Sequence, residues 1–135
     1  MPWINRLSVT FERGEYAART NDWLEYRENG KRHKVPPGFY TDFGSVPGYV
    51  VLPCLVPRIG RTREAFVLHD WHYRTAVKPR RIVDRLLFTS ALELLDAATD
   101  IAQGERALYK ARMALAYVGV RMWGWIPWMR YRRNG

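Results

Sequence analysis

Between residues 36 and 60 the chain carries five of its eight prolines and four of its ten glycines. Proline has no amide hydrogen and a fixed φ, so this stretch forms neither a helix interior nor a central strand. It separates two parts with different periodicity. Ahead of it apolar and polar residues tend to alternate; behind it apolar residues recur every three or four positions. That order predicts an α+β fold: a small N-terminal antiparallel β-sheet, a long Pro/Gly loop, then about three α-helices. A chain of 135 residues has the size of a single domain. The expected division is β-rich over 1–35, a structured loop over 36–61, helical over 62–123, and a basic Trp/Arg tail over 124–135.

Strands are expected at 7–11, where Leu7, Val9 and Phe11 alternate with Ser8 and Thr10, at 16–20, at 23–26 and at 33–35. Asn29-Gly30 tolerates positive φ at both central positions and predicts a tight hairpin between the last two. Thr62 is placed as the N-cap of a helix reaching about residue 75, with Phe66, Leu68 or His69, and Tyr73 at helical spacing. Pro79 is placed in the first turn of a second helix over about 80–98. A third is expected over about 105–123, where Gly124 and Pro127 break the pattern.

Hydrophobic residues make up 47% of the chain, enough to build a core. The 22 Lys and Arg outnumber the 13 Asp and Glu, giving a net charge of +9. Such a surface favours nucleic acid, anionic lipid or an acidic protein, without choosing among them. Cys54 is the sole cysteine, so no intramolecular disulfide forms. The N-terminus has no long apolar run and does not read as a signal peptide. The uncharged stretches 113–120 and 122–129, split by Arg121, fall far short of the ~20 residues of a membrane span.

The densest chemistry lies in His69-Asp70-Trp71-His72-Tyr73 and in Asp84. His69 and Asp84 are equally far from the short turn near Val77 and Lys78, so an antiparallel helix pair sets them at one level. Asp84 shares a stripe with Phe88, Ala91 and Leu95, and His69 shares one with Ala65, Phe66 and Tyr73. A carboxylate at the edge of an apolar face needs a partner, and a histidine across the gap is a natural one. Such a pair either orients the imidazole as a general base or serves as a structural latch. His69, Asp84 and Tyr73 are the candidate catalytic residues. Asp70 points about 100° away around the helix and is free for another role, such as holding a metal. Asp42, between Tyr40 and Gly44, either joins it on a hard cation or forms an Asx-turn. His69 and His72 alone make a poor zinc site, because a transition metal needs more ligands in reach.

Two resemblances follow. The segment Val35-Pro36-Pro37-Gly38-Phe39-Tyr40-Thr41-Asp42-Phe43-Gly44-Ser45-Val46-Pro47, then His69-Asp70-Trp71-His72-Tyr73-Arg74, then Val83-Asp84, resembles the phage and prophage proteins grouped as domain of unknown function 1353. This implies a bacteriophage or prophage origin and no particular activity. More locally, His69, Asp70 and Tyr73 resemble the helix of the secreted phospholipases A2. That resemblance implies His69 as the base, Asp84 as its orienter, and Asp70 with Asp42 as ligands of Ca²⁺. Ala65, His72 and Val83 stand where that family has half-cystines, and its Gly-rich calcium loop has no counterpart here.

Two functions are therefore expected. One is a metal-assisted hydrolase acting on a cell-envelope component such as a phospholipid ester. The other is a non-enzymatic virion, tail or assembly component, whose basic surface docks on DNA, membrane or another subunit. A third option is a binding protein that inhibits an acidic host target. The protein would be made in the host cytoplasm and then join the virion or the host envelope. The segment 121–133 mixes Trp with Arg and contains no acid. It suits a lipid interface, nucleic acid or a protein contact, or else closes the core with its Trp residues.

Overall fold

The computed structural model describes residues 3–5, 7–11, 18–28, 30–41, 62–76, 78–123 and 125–134. Five short strands precede four helices, in agreement with the α+β expectation. Strands β1 (Val9–Phe11), β2 (Ala18–Thr20) and β5 (Tyr40–Thr41) form an antiparallel sheet in the order β1-β2-β5. Strands β3 (Leu24–Glu28) and β4 (Lys31–Val35) form a separate hairpin. The N-terminal part thus holds two sheets where one was expected, and β5 was not anticipated. Gly30, at φ +76°, supplies the turn conformation expected of the hairpin.

In the hairpin Leu24 faces Val35 and Tyr26 faces His33. All four are buried, as period-two alternation requires of one sheet face on the core. Trp3 bridges to Tyr26, and its indole Nε1 donates to the Ser90 carbonyl at 3.0 Å, which ties the N-terminal segment to the helices.

Helix α1 (Arg63–Thr75) begins after Thr62, but the Thr62 side chain makes no capping bond. Its carbonyl instead accepts from the Ala65 and Phe66 amides. Ala76 ends α1 in the left-handed region at φ 52°, its amide donating to the His72 carbonyl. Pro79 stands one position before α2 (Arg80–Ala97) rather than inside its first turn. Its carbonyl accepts from the amides of Ile82 and Val83.

Helix α3 (Gln103–Trp123) is followed by α4 (Trp125–Asn134), so the segment expected as a tail is helical. Pro127 read as a breaker, yet it occupies the third position of α4. There its missing amide hydrogen forfeits no intrahelical bond. Phe66, Leu68, Leu86, Leu87, Leu95 and Met113 join the hairpin side chains in one core. No helix among the described residues is long and apolar enough to cross a membrane. Asp42 and Cys54, with most of the Pro/Gly loop, lie outside the described residues.

Candidate functional site

Helices α1 and α2 pack against each other across the turn at Ala76, and α1 is buried from Glu64 to Asp70 and again at His72 and Tyr73, with His69 and Tyr73 four residues apart. This spacing aligns His69 and Tyr73 on one face, with their rings 4.3 Å apart. On α2, Val83, Asp84, Leu87 and Ala91 form the facing buried stripe. Asp84 has no solvent exposure at all.

A buried carboxylate is tolerated only where its acceptor sites are filled, and those of Asp84 are. Its Oδ1 lies 2.9 Å from His69 Nε2 and accepts from the Tyr73 hydroxyl at 2.7 Å. Its Oδ2 accepts from Arg80 at 3.2 Å and from Arg121 at 3.1 Å. The expected His69–Asp84 contact is therefore present, with Tyr73 one turn further towards the connecting turn. Arg80 also donates to the Val120 carbonyl at 2.9 Å, near the C-terminal end of α3. Asp84 thus links donors from α1, α2 and α3.

Burial, together with the negative charge of Asp84, holds the Tyr73 hydroxyl well above the usual phenol range. It stays a donor. With Nε2–H given to the carboxylate, His69 Nδ1 is left as a lone-pair acceptor, a tautomer assigned from the bonding pattern. Nδ1 has no hydrogen-bond partner among the described residues. Trp128 of α4 meets the Tyr73 ring edge-on at 5.2 Å, which sets α4 beside the site.

Two residues were missed in the sequence. Arg80 lies four positions before Asp84 on the same helix face, so its signal was present in the spacing. Arg121 comes from 37 residues away. Its signal was a lone cation between two uncharged stretches. Arg81 and Arg85 are exposed.

Asp70 is rotated away from the pair and buried, its Oδ1 accepting from Arg74 Nε at 3.3 Å. Asp42 lies outside the described residues. Among the described residues no three His, Cys, Asp or Glu side chains gather as metal ligands. A cation bound by Asp70 would share the carboxylate with Arg74. His72 is turned towards β4, where its ring meets His33 edge-on at 5.4 Å. Burial pushes the His72 imidazole down to about 3, helped by the positive field of His33, His69 and Lys78. Burial lowers His33 in the same sense.

No curated protein and no solved structure matches the chain. A family model described as "Protein of unknown function (DUF1353)" matches residues 8–111, which take in both sheets, the His69–Asp84 pair and the first part of α3. The chain belongs to the DUF1353 family.

Proposed function

We propose that the protein is a hydrolase in which His69 activates water. One observation carries this reading: a 2.9 Å contact between His69 Nε2 and a fully buried carboxylate, with Nδ1 left unpartnered among the described residues. A carboxylate on one ring nitrogen fixes the tautomer and the ring plane. It also stabilises the positive charge that the ring gains on taking a proton. Water bound at Nδ1 would give its proton to that atom as its oxygen bonds to an ester carbonyl carbon. The carbonyl electrons move to oxygen. When the tetrahedral intermediate collapses, the alkoxide leaves and recovers the proton from His69. Asp84 and Tyr73 act as positioning residues. No step is routed through a metal; Ca²⁺ held by Asp70 and Asp42 would share Asp70 with Arg74.

The substrate class we infer is a phospholipid ester of a cell envelope, because a net charge of +9 favours an anionic substrate surface. If the phage resemblance carries over, that envelope is the host's. Incubation with phosphatidylglycerol vesicles in heavy-oxygen water tests the chemistry. One labelled oxygen should enter each released fatty acid, whereas no acid above background would refute the reading.

A second reading rests on a different observation. All four contacts to Asp84 come from helices, and they join α1, α2 and α3. In a virion or assembly component this cluster would be a latch, and nothing would be hydrolysed.

A further inference from the structure

Helix α3 packs Met113 into the core and also carries apolar residues outward. Beyond Glu105, every exposed residue of α3 is alanine or a larger apolar side chain. Leu108 is 51% exposed, Leu115 47%, Val118 49% and Met122 57%, and their spacing of seven, three and four sets them on one face. Helix α4 adds exposed Trp125 and Met129. A solvated helix has the reverse pattern, and an apolar face of this extent marks a contact surface.

Three of the four cations of α3 are engaged elsewhere, and the fourth, Arg112, is partly buried with its guanidinium 5.9 Å from the centre of the Tyr109 ring. Arg106 donates to the Asp96 and Ala98 carbonyls, Lys110 pairs with Asp96 at 2.7 Å, and Arg121 pairs with Asp84. Apart from the partly buried Arg112, the stripe therefore carries no charge. From residue 106 to the last residue, however, the sequence has seven Lys and Arg and no Asp or Glu. A partner must be apolar where it meets the stripe and anionic around it. A bilayer with anionic headgroups has both layers, and tryptophan partitions to the boundary between them.

We propose that α3 and α4 form a surface that lies on anionic lipid. Leu108, Leu115, Val118, Met122, Trp125 and Met129 enter the acyl boundary, and the basic C-terminal segment meets the phosphates. The helix lies on the membrane and does not span it, since no described helix is long and apolar enough to cross. Trp128 connects this surface to the site through its contact with Tyr73. The surface deepens the hydrolase reading, on which it rests only for the purpose that binding serves.

Co-sedimentation with vesicles tests the surface. The full chain should bind phosphatidylglycerol vesicles at least tenfold more tightly than phosphatidylcholine vesicles, and more weakly as salt rises. The double substitution Leu115→Glu and Val118→Glu should lower binding at least tenfold with the circular dichroism spectrum unchanged. If that variant misfolds, Trp125→Ser with Met129→Ser should weaken binding in the same way. His69→Ala should bind like the unmodified chain, so that loss of hydrolysis and loss of binding are separable results. No preference for phosphatidylglycerol, or binding indifferent to the substitutions, would overturn the proposal. So would conversion of a dimer to a monomer by the glutamates with vesicle binding unchanged, because the face would then join two copies of the chain.

Discussion

Asp84 on α2 is wholly buried, and its Oδ1 sits 2.9 Å from Nε2 of His69 on α1. The other carboxylate oxygen is held by Arg80 and Arg121, so the contact that orients the histidine also joins three helices. Orientation and stability are therefore coupled at one carboxylate.

Replacing Asp84→Ala should expose that coupling. Two arginines and a tyrosine hydroxyl lose their acceptor together. Removing one partner of a buried pair costs about 3–5 kcal/mol. The Arg80 and Arg121 side chains keep 20% and 34% exposure and can regain water, so the lower end of that range is expected. Chemical denaturation reads the change. A loss below about 1 kcal/mol would mean that the network does not hold the helices together.

Tyr73→Phe separates the hydroxyl from the ring. The ring keeps its contacts with His69 and Trp128, and the 2.7 Å bond to Asp84 is lost. Asp84 Oδ1 remains bonded to His69, so the cost should be about 1 kcal/mol in stability. Hydrolysis should fall by less than tenfold. A loss as large as that of a His69 substitution would assign the Tyr73 hydroxyl a direct part in the chemistry.

Stability should fall with acidification because of His72. In the folded chain its imidazole is held at about 3, against an ordinary value of 6.5. Between these values the unfolded chain binds a proton that the folded chain does not, so acid favours unfolding. Below about pH 6.5 the loss should approach roughly 1.4 kcal/mol per pH unit from this group, with His33 acting in the same direction. Urea titrations at pH 7.5 and 5.5 measure it. His72→Leu should flatten the dependence, and an unchanged slope in that variant would place the acid sensitivity elsewhere.

The His69–Asp84 pair was legible in the sequence because two apolar stripes and one short turn fixed the level at which the residues meet. The turn is at Ala76, where the chain enters the left-handed region. The helix starts were legible as well, since Thr62 and Pro79 immediately precede α1 and α2. Long-range pairing was not. Nothing local tells that Thr41 lies opposite Ala18, or that Arg121 reaches Asp84, because both depend on how distant elements are packed. Helix α4 was hidden by Pro127, which breaks a helix interior but is tolerated in a first turn. The polarity of α3 was hidden for a related reason. An apolar stripe predicts burial, and only the folded chain reveals which stripe is covered and which is left outward.

The most direct test of the central claim is the rate at which phosphatidylglycerol vesicles are hydrolysed by the full chain and by His69→Asn. A positioned general base contributes about 10²–10⁴-fold in rate. The unmodified chain should therefore release fatty acid, and release should fall at least a hundredfold in His69→Asn, whose circular dichroism spectrum should match the unmodified one. Release by His69→Asn at the unmodified rate, or no release by either protein, would contradict the claim.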